Sequence, residues 1–167
     1  GVRSSWGDEF HVYVDHNIRA TQRLLEAAIG VRHLRRIVYA SSSSIYGDAR
    51  PLPWREDGPC QPVSPYGVTK LAAEHLAVLY HRNHGLPTVS LRFFTVYGPR
   101  QRPDMAFHRF LKAARDDQEV TVFGDGEQTR DFTYVSDIVS AVRAAPLSGR
   151  PGSVYNVGGG ERVALNE

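Results

Sequence analysis

The chain has 167 residues, 41% hydrophobic and 23% charged, with a formal net charge of +2 and a pI of about 8.8. That allows one domain with a real core, and the mild basicity suits an anionic small molecule rather than nucleic acid, for which there is no basic run or RNA-binding motif. No apolar run approaches the ~20 residues of a membrane span, no signal peptide is visible, and the single Cys60 rules out an internal disulfide, as expected in a reducing cytoplasm.

Residues 1–14 read as a loop and a helix start. Asn17 to Ala28 reads as a helix: Ile18, Leu24, Leu25 and Ala28 form an apolar stripe, and Gly30 ends it. Arg36-Ile37-Val38-Tyr39-Ala40-Ser41 is a short apolar run, read as a buried parallel strand, and it enters a run of serines, Ser41-Ser42-Ser43-Ser44. Residues 47–65 carry Gly47, Pro51, Pro53, Gly58, Pro59, Pro62 and Pro65 and form a long loop, usually a functional feature. Pro65 fits the first turn of a helix from Tyr66 to about His84, closed by Gly85. Thr88 to Phe93 is the next strand, and residues 94–104 form a loop with Gly98, Pro99 and Pro103. A helix of about 105–117 precedes a short strand, Val120-Thr121-Val122-Phe123, and a Gly124-Asp125-Gly126 turn. Ser136 or Asp137 caps a helix to about Ala145; Ser153 to Val157 is a strand, and Gly158-Gly159-Gly160 turns after it. Strands alternating with helices imply βαβ units, a parallel sheet and helices on both faces, which is a doubly wound α/β fold.

The pentad Tyr66-Gly67-Val68-Thr69-Lys70 carries the chemistry. At the start of a helix, Tyr66 and Lys70 fall at i and i+4 and share one face. A phenol normally loses its proton near pH ~10, and a nearby ammonium lowers that value. The product is a proton acceptor usable near neutral pH, as oxidation of an alcohol requires. A serine hydroxyl close by holds the same substrate oxygen in line.

Several motifs in order resemble the extended short-chain dehydrogenase/reductase family, specifically its NAD-dependent nucleotide-sugar epimerases and dehydratases. They are the helix from Asn17 to Ala28, the segment Ser41-Ser42-Ser43-Ser44-Ile45-Tyr46-Gly47, the helix start Ser64-Pro65-Tyr66-Gly67-Val68-Thr69-Lys70, and Arg130-Asp131-Phe132-Thr133-Tyr134-Val135-Ser136-Asp137. The resemblance covers essentially the whole chain and implies a Rossmann-like sheet. A dinucleotide-binding sheet opens with a strand and a Gly-x-x-Gly-x-x-Gly turn, which this sequence lacks. The expectation is therefore a piece cut at both ends, without the glycine-rich unit and without the C-terminal part of the substrate domain. Residues 1–104 would be the later part of the NAD-binding domain, and residues 105–167 a partial nucleotide-sugar region with one returning strand.

By the same resemblance Ser42, Tyr66 and Lys70 are catalytic and touch the cofactor, with Tyr66 the base and later the acid. Asn17 and the Phe94 backbone contact NAD. Arg130 pairs with the substrate diphosphate, for which a guanidinium fork is well shaped. Thr121 and Phe123 lie near the nucleotide base, and Arg3, Met105 and Phe107 are further substrate contacts. A homodimer paired through the helices that begin at Asn17 and Tyr66 is also implied.

The stretch Leu91-Arg92-Phe93-Phe94-Thr95-Val96-Tyr97-Gly98-Pro99, followed by Arg102-Pro103-Asp104-Met105-Ala106, is similar to the UDP-glucuronate 4-epimerases. UDP-glucose 4-epimerases usually carry Asn where Thr95 stands. Arg102, Ser43, Ser44 and Thr95 suit a sugar carboxylate. The 4,6-dehydratases place Asp-Glu where Ser43 and Ser44 stand, and the decarboxylases usually carry Glu at Ser44. Oxidation at C4 of a uronate makes a β-keto acid, which loses CO2 if its carboxylate turns out of the carbonyl plane; hydroxyl donors and an arginine would hold it still. The alternatives are a UDP-glucose/UDP-galactose 4-epimerase, then a dehydratase or decarboxylase, then a non-catalytic protein on the same fold, for which Ser42, Tyr66 and Lys70 together would be needless.

Overall fold

The computed structural model describes residues 2–120, 122, 125–164 and 166. Two 3-10 turns, Arg3–Ser5 and Gly7–Glu9, lead into α1 (Phe10–Tyr13), which runs through a widened π-type stretch at Val14–Arg19 into α2 (Ala20–Ala28). Helix thus starts earlier than Asn17, because no glycine or proline lies between Phe10 and Asn17 to stop it. β1 (Ile37–Ser42) ends in the 3-10 turn Ser43–Ile45. Helix α3 (Pro65–His84) opens with Pro65 in its first turn, and Ser64 Oγ accepts the Gly67 N–H at 3.1 Å. It closes at Gly85, whose N–H donates to the His81 carbonyl at 2.9 Å. Then come β2 (Thr88–Phe93), β3 (Thr95–Tyr97), α4 (Ala106–Arg115), β4 (Thr129–Tyr134), α5 (Val135–Ser148), β5 (Val154–Val157) and β6 (Arg162–Ala164).

Strands β1, β2 and β5 form a wholly parallel sheet, with Ile37 opposite Thr88 and Leu91 opposite Tyr155. The alternation along β2 shows why both faces are covered. Val89 and Leu91 pack with Ala145 of α5, joined by Val38, Phe93, Tyr155 and Val157. Thr88, Ser90 and Arg92 take the other face, toward α3, where Thr88 Oγ1 donates to the Ala77 carbonyl at 2.9 Å. Behind α3, Leu25 and Ala28 of α2 meet Tyr80 and Leu86. Each fully buried leucine or valine here contributes ~1.5–3 kcal/mol relative to exposure. Helices on both faces of a parallel sheet make this the expected doubly wound, Rossmann-like arrangement.

A second sheet pairs β3 with β4 in parallel, Thr95 opposite Phe132, and β4 with β6 antiparallel, Arg130 opposite Val163. None of these strands was predicted. β3 has three residues, too few to show alternation, and β4 interrupts its apolar residues with Arg130 and Asp131. Val120 and Val122, expected in a strand, belong to none; Thr121 and Phe123 of that segment lie outside the described residues. Helix α5 begins at Val135 without a side-chain cap from Ser136 or Asp137. It continues past Ala145 because Pro146 removes one donor only, and the Gly149 N–H still reaches the Ala145 carbonyl at 3.0 Å.

Candidate active site

Three of the predicted residues converge where β1 ends and α3 begins. Ser42 is the last residue of β1, and its Oγ accepts the Ser44 N–H at 3.2 Å. Tyr66 is the second residue of α3; its N–H donates to Ser5 Oγ at 3.1 Å, and its ring meets Tyr13 edge-on at 6.1 Å. Burial raises the Tyr66 pKa above the usual phenol range; hydrogen bonding with Ser42 and the charge of Arg102 work against that, and Tyr13 adds to it. One turn along α3, the Lys70 ammonium donates to the Ala40 carbonyl and lies 4.5 Å from the centre of the Tyr39 ring. Burial lowers the Lys70 pKa to about 8, with Glu74 pulling the other way. The shared face of Tyr66 and Lys70 is therefore present, but in this structure Ser42 and Arg102 draw the phenol down while Lys70 is engaged by Ala40 and Tyr39.

Asn17 reaches the same helix. Its Nδ2 donates to Thr69 Oγ1 at 2.9 Å, and that hydroxyl donates to the Tyr66 carbonyl at 2.9 Å. Phe94, just after β2, donates its N–H to the Val157 carbonyl at 3.1 Å, and its ring tilts against Tyr46 and Trp54. Ser42 ends β1 and Phe94 follows β2, so both lie at the C-terminal end of the parallel strands, where ligands of such sheets bind. Ser43 and Ser44 lie in the 3-10 turn beyond Ser42, half-buried.

The other candidates sit on the second sheet or its approach. Thr95 opens β3, and Arg130 lies exposed on β4, donating to the Thr129 carbonyl at 2.8 Å. Arg102 holds Asp104 in a two-point fork, Nε to Oδ1 at 3.0 Å and Nη2 to Oδ2 at 2.9 Å, with Met105 Sδ 3.7 Å from Nη2. That fork keeps the Asp104 carboxyl below its ordinary pKa. Phe107 packs inside an aromatic cluster, stacked on Tyr97 at 4.8 Å and edge-on to Phe132 at 4.8 Å, so in this structure it joins α4 to the second sheet. Arg3 is exposed in the first 3-10 turn.

Several residues escaped the sequence reading. Tyr39 and Tyr13 flank Lys70 and Tyr66. Arg92 makes a buried ion pair with Glu74 at 2.7 Å. Asp131 accepts the N–H groups of Gly159 at 2.7 Å and Gly160 at 3.2 Å, docking the glycine turn on β4. Only Arg92 left a signal, a charge between Leu91 and Phe93 in a buried strand. Among the described residues no cluster of histidine, cysteine or acid groups is suited to a metal.

A model of the NAD dependent epimerase/dehydratase family matches residues 2–158. YtcB of Bacillus subtilis (strain 168), an uncharacterised UDP-glucose epimerase, is 51% identical over 168 residues, 99% of this chain and 52% of YtcB. A UDP-glucuronate 4-epimerase of Thermodesulfobacterium geofontis (strain OPF15) is 43% identical over 171 residues, 100% of this chain and 51% of that protein. The crystal structure of UDP-glucuronic acid 4-epimerase from Bacillus cereus, in complex with UDP-glucuronic acid and NAD, matches with a TM-score of 0.93 and 49% identity over 99% of this chain and 53% of that one. The chain spans about half the length of the curated relatives it matches.

Proposed function

The chain belongs to the NAD dependent epimerase/dehydratase family, and from that premise we propose that its reaction is inversion at C4 of UDP-glucuronate. The observation that carries this reading is the placement of Ser42 at the end of β1 and of Tyr66 at the start of α3, with Ser42 and the charge of Arg102 both acting on the Tyr66 phenol, beside a turn that offers serine hydroxyls and no acid. A dehydratase needs an acid–base pair at Ser43 and Ser44; an epimerase of a uronate needs donors for a carboxylate.

The donor set fits NAD: Lys70 and Tyr66 stand on α3 against β1, with Asn17 tied to the same helix through Thr69, and Lys70 and Asn17 carry the N–H groups a ribose diol accepts from. Ser42, Tyr66, Lys70, Asn17 and the Phe94 backbone would hold the cofactor, which when bound supplies the reversible two-electron chemistry at the sugar carbon. Tyr66 takes the O4 proton and later returns it. Ser42 keeps O4 in line with the phenol. Arg102, Ser43, Ser44 and Thr95 hold the carboxylate in the plane of the C4 carbonyl and so resist loss of CO2. Arg130 holds the diphosphate while the sugar turns over, with Arg3, Met105 and Phe107 beside the substrate and Thr121 and Phe123 near the base.

We also assign residues 1–104 to cofactor and chemistry and residues 105–167 to the nucleotide sugar, with β5 returned to the parallel sheet. The outer face of α3 exposes Val68 and Leu79 and that of α2 exposes Leu24, which fits pairing of these helices in a homodimer. Light scattering showing a strict monomer of the intact protein would remove that part. Among the described residues no helix is long and apolar enough to cross a membrane; a cytoplasmic enzyme with no nucleic-acid partner completes the reading.

The test is product analysis of the intact protein with UDP-glucuronate and with UDP-glucose. UDP-galacturonate without UDP-pentose is the expected product. Preferential formation of UDP-galactose would put the neutral-sugar reading first, which the name of YtcB and the engagement of Arg102 by Asp104 favour.

A further inference from the structure

We propose that Glu74, Arg92 and Tyr46 form a buried bracket that positions Ser42 against Tyr66, with Tyr46 its positioning residue on the serine side. This rests on Ser42 and Tyr66 being the reacting pair. Arg92 stands opposite Ser41 in the sheet register, and the next residue, Phe93, stands opposite Ser42. Its side chain points toward α3 and is 5% exposed, that of Glu74 4%. The fork grips Glu74 through Nη2 to Oε1 at 2.7 Å and Nε to Oε2 at 3.1 Å. The remaining terminal nitrogen donates to the Tyr46 hydroxyl and to the Glu56 carbonyl, the latter at 3.3 Å. One guanidinium therefore joins two elements.

On the helix side, Glu74 lies one turn beyond Lys70 and two beyond Tyr66 on α3. On the serine side, Tyr46 is fully buried and closes the 3-10 turn, its N–H donating to the Ser43 carbonyl at 3.0 Å. Its hydroxyl donates to Asn156 Oδ1 at 2.8 Å, so β5 is tied in as well. A buried ion pair is a poor source of net stability, since well-packed apolar residues usually serve as well. What a planar fork supplies is fixed geometry, and here the two ends that it fixes carry the two hydroxyls.

Tyr46→Phe tests this in the intact protein. It removes one hydroxyl and keeps the ring stacked on Trp54 at 5.0 Å, so the fold should survive. Misplacing a reacting group by ~1 Å can cost ~100-fold; a fall in kcat of about 10- to 100-fold is expected, with the KM for the nucleotide sugar within about twofold. The acid limb of the kcat profile should also move to higher pH, because hydrogen bonding with Ser42 is one of the effects that hold the Tyr66 pKa down. Tyr13 from α1 and Arg102 after β3 also act on Tyr66, Tyr39 of β1 is coupled to it, and Lys70 and Glu74 stand one and two turns further along α3; the variant leaves all of these side chains in the chain. A purely structural role would lower the melting temperature without moving the limb.

Ser42→Ala and Arg92→Lys are run beside it. Ser42→Ala should move the limb the same way, and Arg92→Lys, which keeps the charge but loses the fork, should copy Tyr46→Phe. If Ser42→Ala moves the limb and Tyr46→Phe leaves both limb and kcat unchanged, the bracket is refuted and the catalytic reading stands. If Ser42→Ala and Tyr66→Phe both turn over normally, the catalytic reading itself has failed.

Discussion

Arg102→Ala separates the two sugar readings most directly. The side chain is exposed and its contacts are local, to Asp104 and Met105 two and three residues along. Its removal should leave the fold alone, as surface substitutions generally do. Losing the Arg102 charge also lets the Tyr66 pKa rise, an effect common to both sugars, so rates are compared on the pH plateau of each profile, where a neutral sugar should lose little. A uronate loses a charge-assisted hydrogen bond worth roughly 1.5–3 kcal/mol, or about 10- to 150-fold in kcat/KM. The structure places the expected loss toward the lower end of that range. Asp104 already occupies both arms of the fork, at 3.0 and 2.9 Å, so a substrate carboxylate must displace it and gains only the difference. A loss of about 10- to 30-fold on UDP-glucuronate follows, against less than about threefold on UDP-glucose. The freed carboxylate should also turn out of the carbonyl plane, and UDP-pentose should appear. The assay is chromatographic product analysis of wild type and variant with both substrates. Equal losses on both, with no pentose, would refute the assignment of Arg102 to the carboxylate and move the neutral-sugar reading ahead.

Tyr66→Phe should abolish most turnover, by ~10²- to 10⁴-fold, with an unchanged circular dichroism spectrum; activity within threefold of wild type would remove Tyr66 from the mechanism. Gly47→Ala should destabilise the protein by roughly 2–4 kcal/mol in urea unfolding, from left-handed strain plus overpacking. The reason is that Gly47 has φ +54° and an added Cβ would meet the Gln61 carbonyl oxygen at 2.0 Å; a change below ~1 kcal/mol would show that the loop yields freely. Burial lowers the Lys70 pKa to about 8 from 10.5, so the unfolded chain binds more protons between those values and the Lys70 contribution to stability rises with pH across that window. Tyr39 and Tyr66, both raised, give the opposite slope above pH 10; the denaturation midpoint of wild type relative to Lys70→Met should therefore climb from pH 8 to 10, and a flat difference would contradict the burial of the ammonium.

What the sequence displayed was local chemistry. Tyr66 and Lys70 are four residues apart on a helix announced by Ser64 and Pro65, so their shared face needed no tertiary information. β1 was visible as a short apolar run, as a parallel strand covered on both faces allows, and β2 and the run at Val154 as short β-branched and aromatic stretches set off by glycines at Gly85, Gly98, Gly152 and Gly158. β3 and β4 were hidden for the converse reason: their pairing depends on each other and on the aromatic packing of Tyr97, Phe107 and Phe132, none of which a short window contains. The same division runs through the site. The partners of Lys70 are a carbonyl thirty residues away and a ring on β1, and proximity of Lys70 to Tyr66 in sequence did not predict them.

The glycine turn shows the limit most sharply. Gly158-Gly159-Gly160 could be read as a turn from composition, but not what it turns against. An added Cβ on Gly159 would lie 2.2 Å from the Phe132 carbonyl oxygen, and Asp131 takes the N–H groups of Gly159 and Gly160. The turn is thus small because β4 passes directly beneath it, and Asp131 clamps the end of the parallel sheet to the strand that presents Arg130. Likewise Arg92 stands between Leu91 and Phe93 in a buried strand because its partner, Glu74, lies on another element. Charges inside apolar strands and glycines after them are therefore the places where a sequence of this kind marks a tertiary constraint without naming the partner. Here each such mark, once its partner is known, lies within a few residues of a group assigned to the chemistry.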